Sequence, residues 1–295
     1  MSIWTSSDIP AQDGRTVIVT GANSGLGRAT SAAFARAGAR VVLAVRDRAR
    51  GEATAAAIPG TTEARELDLA DLASVRRFAA DWAGPIDILV NNAGVMAVPE
   101  GRTSDGFELQ FGTNHLGHFA LTNLLLPQVT DRVVTVSSGM HRRGSIDLTD
   151  LNWQTRSYNP WAAYGQSKLA NLLFTLELER RLERDGSSVR AHAAHPGWAA
   201  TNLQSHSGNR LITRLSDVAN KVVAQSEEMG ALPTLFAAIL DLPGASYVGP
   251  NGLGEMRGYP TLVGRTAAAS DPQLAERLWE ASEQLTGISY PSLVR

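Results

Sequence analysis

The chain has no cysteine among its 295 residues. That excludes disulfides, thiolate metal sites and a cysteine nucleophile, and leaves the compartment open. Charge of one sign is also lacking: 27 Lys and Arg stand against 29 Asp and Glu, a formal net charge of -2. With no basic block, nothing points to a nucleic-acid partner. Long apolar runs are missing too. The longest candidate, near residues 231–240, falls short of the about 20 helical residues that span a bilayer. Residues 1–15 are polar, with Asp8, Pro10 and Asp13, and lack the apolar centre of a secretory signal. A cytoplasmic protein with no membrane partner is the expectation. What is present is a 43% hydrophobic share, enough for a sizeable core. One large α/β domain fits; two smaller ones stay open.

Strand-like and helix-like segments alternate. Residues 16–20, 40–45, 63–67, 86–90, 132–137 and 189–195 read as short apolar strands. Helical patterns fall at 29–37, 48–57, 72–82, 107–126 and 161–183, then at 227–240 and 271–283, with a last strand at 245–248. Apolar strands without period-two alternation are buried on both faces, as in a parallel sheet. Right-handed crossovers then give a doubly wound, Rossmann-type α/β sheet with helices on both faces. No linker or fixed-period repeat divides the chain, so residues 1–295 read as a single nucleotide-binding domain. Residues 201–220 are irregular and read as a candidate lid, in a substrate-binding segment around 201–230.

The first strand enters Thr20-Gly21-Ala22-Asn23-Ser24-Gly25-Leu26-Gly27-Arg28. Its glycines permit a tight turn and let backbone N–H groups approach a pyrophosphate at a helix N-terminus. The second strand ends Ala44-Val45-Arg46-Asp47, with Val45 at the place of the acid that would hold a ribose 2′-hydroxyl. Arg46 suits a 2′-phosphate instead, with Arg28 adding positive potential, so NADP(H) is expected ahead of NAD(H). The alternative is that Asp47 takes the hydroxyl. Asp68 and Leu69 end the third strand, where a carboxylate can accept from an adenine amino group. Asn91, Asn92, Ala93 and Gly94 end the fourth and are candidates to meet the cofactor: small residues there let a ribose pass close to the backbone, and Asn91 and Asn92 can also tie strand ends together.

Tyr164 and Lys168 are four apart on one helix face. A phenol titrates near pH ~10, and a fixed cation beside it favours phenolate, so the pair reads as a general acid/base device.

In this order, the Thr20–Gly27 turn, Asp68, Asn91 to Gly94, Asn114, Ser138, Tyr164, Lys168 and Pro196-Gly197 resemble the short-chain dehydrogenase/reductase family. Arg46-Asp47, Thr113-Asn-His-Leu-Gly-His-Phe119, Asp150-Leu-Asn152 and the text from Ser167 to Phe174 are similar to its retinol-dehydrogenase-type branch. That branch includes WW-domain oxidoreductases and protochlorophyllide reductases. It mostly favours NADP(H) and hydrophobic carbonyls or alcohols. The missing cysteine departs from the protochlorophyllide enzymes, and the start of the chain has no membrane anchor like that of the retinoid enzymes.

The resemblance implies that Tyr164 exchanges the proton, while Lys168 lowers its pKa and holds the nicotinamide ribose. Ser138 rather than Ser137 hydrogen-bonds the reacting oxygen, and Asn114 holds a water leading from Lys168 to solvent. It also implies that Pro196, Gly197, Trp198 and Thr201 face the nicotinamide. Met96, His141, Trp153 and Trp198, with Tyr158, Trp161 and residues 203–215, are candidates for an apolar substrate pocket. No metal site is expected. A catalytically silent dinucleotide sensor or scaffold is the alternative reading. A homo-oligomer through the 107–126 and 161–183 helices stays open.

Overall fold

A computed structural model of the chain describes residues 3–197 and 225–293. Its strands are β1 (Thr16–Thr20), β2 (Arg40–Val45), β3 (Thr62–Glu66), β4 (Ile86–Asn91), β5 (Val129–Val136), β6 (Arg190–Ala194), β7 (Tyr247–Pro250) and β8 (Pro260–Leu262). They form one sheet in the order β3-β2-β1-β4-β5-β6-β7-β8. The pairings are parallel except β7 with β8, which is antiparallel. This is the doubly wound architecture expected from the alternation. The order reverses between β1 and β4, and there the outgoing loops diverge and leave a crevice.

Continuous apolar strands feed two cores. Ile18 and Val42 lie side by side in register and point to one face. Helices α3 (Leu72–Ala80), α4 (109–125), α5 (Pro160–Arg184) and α7 (Pro272–Thr286) cover that face with Val75, Phe119, Leu172 and Trp279. Val17, Val19, Val41 and Leu43 point to the other. There α1 (Gly25–Arg36), α2 (Arg48–Ala57) and α6 (Glu227–Ile239) contribute Phe34, Ala55 and Leu232. Six helices start on a side-chain cap: Asp47 for α2, Asp71 for α3, Glu108 for α4, Asn159 for α5, Ser226 for α6 and Asp271 for α7. Helix α1 does not, since Ser24 makes no cap bond. Among the described residues no helix is long and apolar enough to cross a membrane.

Two differences from the sequence reading bear on the site. Helix α4 is not a plain helix over 107–126. It consists of Leu109–Phe111, a π turn Gly112–Leu116 and Gly117–Leu125. Glu108 stays outside and caps it, its carboxylate accepting from the Gln110 and Phe111 amides at 2.9 and 2.6 Å. The wider turn falls at Asn114. At the far edge, the last parallel strand is Tyr247–Pro250 rather than 245–248, and Pro260–Leu262 adds an unexpected eighth. Three residues carrying a proline give no alternation to read.

Candidate active site

The carboxyl ends of β1, β2, β4, β5 and β6 open into a cleft of about 950 Å³. Gly21, Asn23, Ser24, Gly25, Leu26 and Gly27 line one end. Gly21 has φ +65°, and a Cβ there would lie 2.9 Å from both Cα and Cβ of Ala93. At Gly27 a Cβ would meet the Asn92 side-chain nitrogen at 2.6 Å. Glycine at both points lets the turn close against the end of β4. The uncapped first turn of α1 leaves its N–H groups for an anion, so the cradle fits a dinucleotide pyrophosphate.

Arg46 is exposed at the cleft wall beside Arg50. The Asp47 carboxylate accepts from the Arg50 amide at 3.0 Å and is thereby occupied as the α2 cap. Arg28 points elsewhere and pairs with Glu227 at 2.9 Å, so its charge is offset rather than added to the cleft. Asp68, Leu69, Ala93 and Gly94 all reach the lining. Asn91 does not. It is fully buried, and its side-chain amide donates to the Thr122 hydroxyl at 2.9 Å, tying β4 to α4. The neighbouring Asn92 takes the place at the cleft. Strand β4 runs one residue further than expected, and alternation turns Asn91 inward with Leu89.

The other end of the cleft gathers Ser138, Tyr164 and Lys168. Asn159 and Pro160 start α5, which carries the tyrosine and lysine one turn apart. The Lys168 Nζ lies 5.7 Å from the Tyr164 ring centre and donates to the Val136 carbonyl at 3.1 Å. Ser137 is committed to packing: its hydroxyl donates to the Lys168 carbonyl at 2.8 Å. Ser138 borders the cleft beside Tyr164, and its hydroxyl accepts from the Met140 amide at 3.2 Å. Burial pushes Tyr164 up to about 12, with Ser138 opposing, and pushes Lys168 down to about 8. The tyrosine shift runs opposite to the sequence expectation, because desolvation of a residue only 6% exposed dominates.

Asn114 is buried in the π turn. Its side chain accepts from the Val95 amide at 2.8 Å and donates to the Val95 carbonyl and the Ser167 hydroxyl, both at 2.9 Å. It thus clamps the chain after Gly94 onto α4 and α5. Its carbonyl is 2.9 Å from His118 Nδ1, while His118 Nε2 is 2.9 Å from the Thr20 hydroxyl. A carbonyl only accepts, so Nδ1 carries the proton and the threonine donates to Nε2. Burial lowers His118 to about 4, which keeps it neutral.

A sequence profile of the short chain dehydrogenase family matches residues 15–211. The chain belongs to that family. This short chain dehydrogenase is 45% identical to human retinol dehydrogenase 13 over 299 aligned residues, covering 95% of this chain and 87% of the relative. It falls in the retinol-dehydrogenase-like branch. The crystal structure of an uncharacterized protein from Mycobacterium Paratuberculosis is similar at TM-score 0.87 and 54% identity, covering 98% of this chain and 100% of that one. A protein from Beutenbergia cavernae, assigned as an NAD(P) dependent gluconate 5-dehydrogenase and holding NADP at low occupancy, is similar at TM-score 0.60. Its identity is 26%, over 78% of this chain and 91% of that one. The family binds NAD(P), and this short chain dehydrogenase is an oxidoreductase of alcohol and carbonyl groups.

The substrate end of this short chain dehydrogenase differs from the sequence reading. Met96 and Trp161 line the cleft. His141 instead lies behind Ser138, with Nδ1 2.8 Å from the Ser138 carbonyl and its ring edge-on to Tyr247. Trp153 is buried outside the lining, its face covered by Arg156 at 3.7 Å. Tyr158 holds the Glu108 carboxylate at 3.1 Å. Pro196 and Gly197 border the cleft; Trp198, Thr201 and the candidate lid at 201–220 lie outside the described residues. Sequence reasoning missed Met140, Arg142, Glu255 and Met256 in the lining. The last two come from the loop before β8, where no motif marks them.

Proposed function

We propose that this chain is an NADP(H)-dependent dehydrogenase/reductase that interconverts an apolar ketone or aldehyde with its alcohol. Tyr164 serves as general acid/base. The observation that carries the reading is the placement of Ser138, Tyr164 and Lys168 at one end of a cleft whose other end is an uncapped helix N-terminus. The dinucleotide, when bound, supplies or takes up the hydride. The chain's residues handle the proton and the developing charge. Tyr164 donates its phenolic proton to the carbonyl oxygen, and the Ser138 hydroxyl hydrogen-bonds the same oxygen. Lys168, held by the Val136 carbonyl, keeps a positive charge beside the phenol and offers ribose hydroxyls a donor. Asn114 acts on the backbone next to Gly94.

Preference for NADP(H) is supported by Arg46 at the cleft and by Asp47 being used as a cap. An apolar substrate is supported by Met96, Met140 and Met256 in the lining and by the relative's name, since retinol is an apolar alcohol. The same proposal takes residues 1–295 as one domain, with the substrate-binding segment around 201–230. The test is NADPH consumption over aldehydes and ketones of rising apolar size, with Tyr164→Phe as control. Turnover falls roughly 10²- to 10⁴-fold in that variant if the phenol moves the proton. Undiminished turnover removes Tyr164 from the mechanism.

A further inference from the structure

The Pro196–Gly197 turn follows β6 and is gripped by the loop between β7 and β8. That loop is braced on itself: the Asn251 amide donates to the Tyr259 carbonyl at 2.8 Å, and the Gly252 amide to the Arg257 carbonyl at 3.0 Å. Three of its residues bear on the turn. The Met256 carbonyl packs on Gly197, where any Cβ would collide with it. The Gly258 amide holds Gln225, whose side chain donates to the Pro196 carbonyl at 2.6 Å. Glu255 acts through His195.

The His195 ring is 2% exposed, packed between Tyr247 and Gly249, whose missing side chain leaves it room. Its Nδ1 lies 3.2 Å from the Gly197 amide nitrogen. A backbone N–H only donates, so Nδ1 carries a lone pair and the ring proton is on Nε2. Nε2 lies 3.1 Å from Glu255 Oε2. The carboxylate therefore selects the one neutral tautomer that can accept from Gly197. Burial lowers His195 to about 4, against the pull of Glu255. The other Glu255 oxygen pairs with Arg142 at 2.9 Å. Glu255 holds this pose at φ +57°, directly after Gly254 at φ +62°. That is a backbone region side chains rarely adopt, and it persists where surrounding contacts over-determine it.

We propose that Glu255 is a positioning residue. Through the His195 imidazole it fixes the Gly197 amide, and with it the backbone that borders the nicotinamide end of the cleft. This rests on the cofactor reading above. Without the carboxylate, His195 is free to move its proton to Nδ1, where two donors would face each other and the Gly197 bond is lost. Glutamine at 255 can still accept from Nε2–H, whereas alanine cannot.

The test compares wild type, Glu255→Ala, Glu255→Gln and His195→Phe, which keeps a ring without nitrogen. Hydrogen exchange of the Gly197 amide is read without cofactor, and NADPH affinity by fluorescence titration. Glu255→Ala and His195→Phe should each speed Gly197 exchange roughly three- to tenfold, the worth of one hydrogen bond, while amides in α1 stay protected. NADPH Kd should rise by a similar factor, and Glu255→Gln should stay near wild type. Unchanged Gly197 exchange in Glu255→Ala overturns the proposal. So does faster exchange spread equally over α1, faster exchange with unchanged Kd, or a glutamine variant as weak as alanine. Failure of wild type to bind NADPH would instead sink the cofactor reading, while the exchange comparison still decides the hold on Gly197.

Discussion

Replacing Lys168 with methionine should stop turnover and yet make the protein more stable at neutral pH. The amine is 4% exposed and is driven from its ordinary 10.5 down to about 8. Wherever it stays protonated, such a shift costs the folded state about 3 kcal/mol. Methionine fills similar space without the charge. It forfeits the bond to the Val136 carbonyl, about 1 kcal/mol, but that carbonyl keeps the Asn171 side-chain amide at 3.0 Å. A net gain of roughly 1–3 kcal/mol remains, a rise in Tm of about 2–8 °C. The sign with pH follows from the proton counts. Below about 8 both folded and unfolded chains hold the proton, and the whole penalty acts. Between about 8 and 10.5 the folded chain releases it first, so wild-type stability rises with pH. Unfolding curves of wild type and Lys168→Met at pH 7 and 9.5, without cofactor, should show a gap that narrows. A variant less stable at pH 7, or an equal gap at both values, would refute the argument.

Arg46→Ala should weaken NADPH binding roughly tenfold and leave NADH within about twofold, since only the former carries a 2′-phosphate. Parallel titrations decide it, and equal loss for both would exclude the role. Asn91→Ala should lower stability by about 1 kcal/mol through the lost Thr122 bond and leave NADPH affinity unchanged. A large change in Kd would return Asn91 to the cleft. Carbonyl reduction needs the phenol protonated, which burial ensures up to about 12, and Lys168 charged, which holds only below about 8. The kcat/KM for reduction should therefore be level near neutral pH and fall above about 8, whereas a rise between pH 7 and 9.5 would contradict it.

Most of the sheet was legible because burial on both faces leaves a direct mark. Thr16–Thr20 and Arg40–Val45 are near-continuous apolar runs, and each came out with its expected bounds. One helix start was legible where a cap residue precedes the run, at Asp71, whereas the last helix, expected from 271 after Ser270, starts one residue later on an Asp271 cap. Strand β8 and the π turn in α4 were not. The first has too few residues to show a period, and the second depends on Asn114 reaching Val95, a contact absent from any local window.

The site divides along the same line. Gly21, Gly27, Tyr164 and Lys168 could be found because their work depends on spacing along one element. Alternation was expected to tell Ser137 from Ser138, but both lie past the end of β5 and border the cleft, and what sets Ser137 apart is its bond to the Lys168 carbonyl. The same rule misled at Asn91, since one more residue of strand turned it from the cleft to the core. Trp153 and His141 stand near Ser138 in sequence, but the intervening chain turns away, and Arg156 and Tyr247 cover them instead. Glu255 is the converse case. It is remote from the tyrosine in sequence, flanked by glycines and without a motif, and it reaches the cleft only because the β7–β8 hairpin folds its loop back over Gly197. Groups that touch the reacting atoms tend to leave local patterns, whereas groups that hold those atoms in place are set by topology, so the second kind has to be sought in the folded chain.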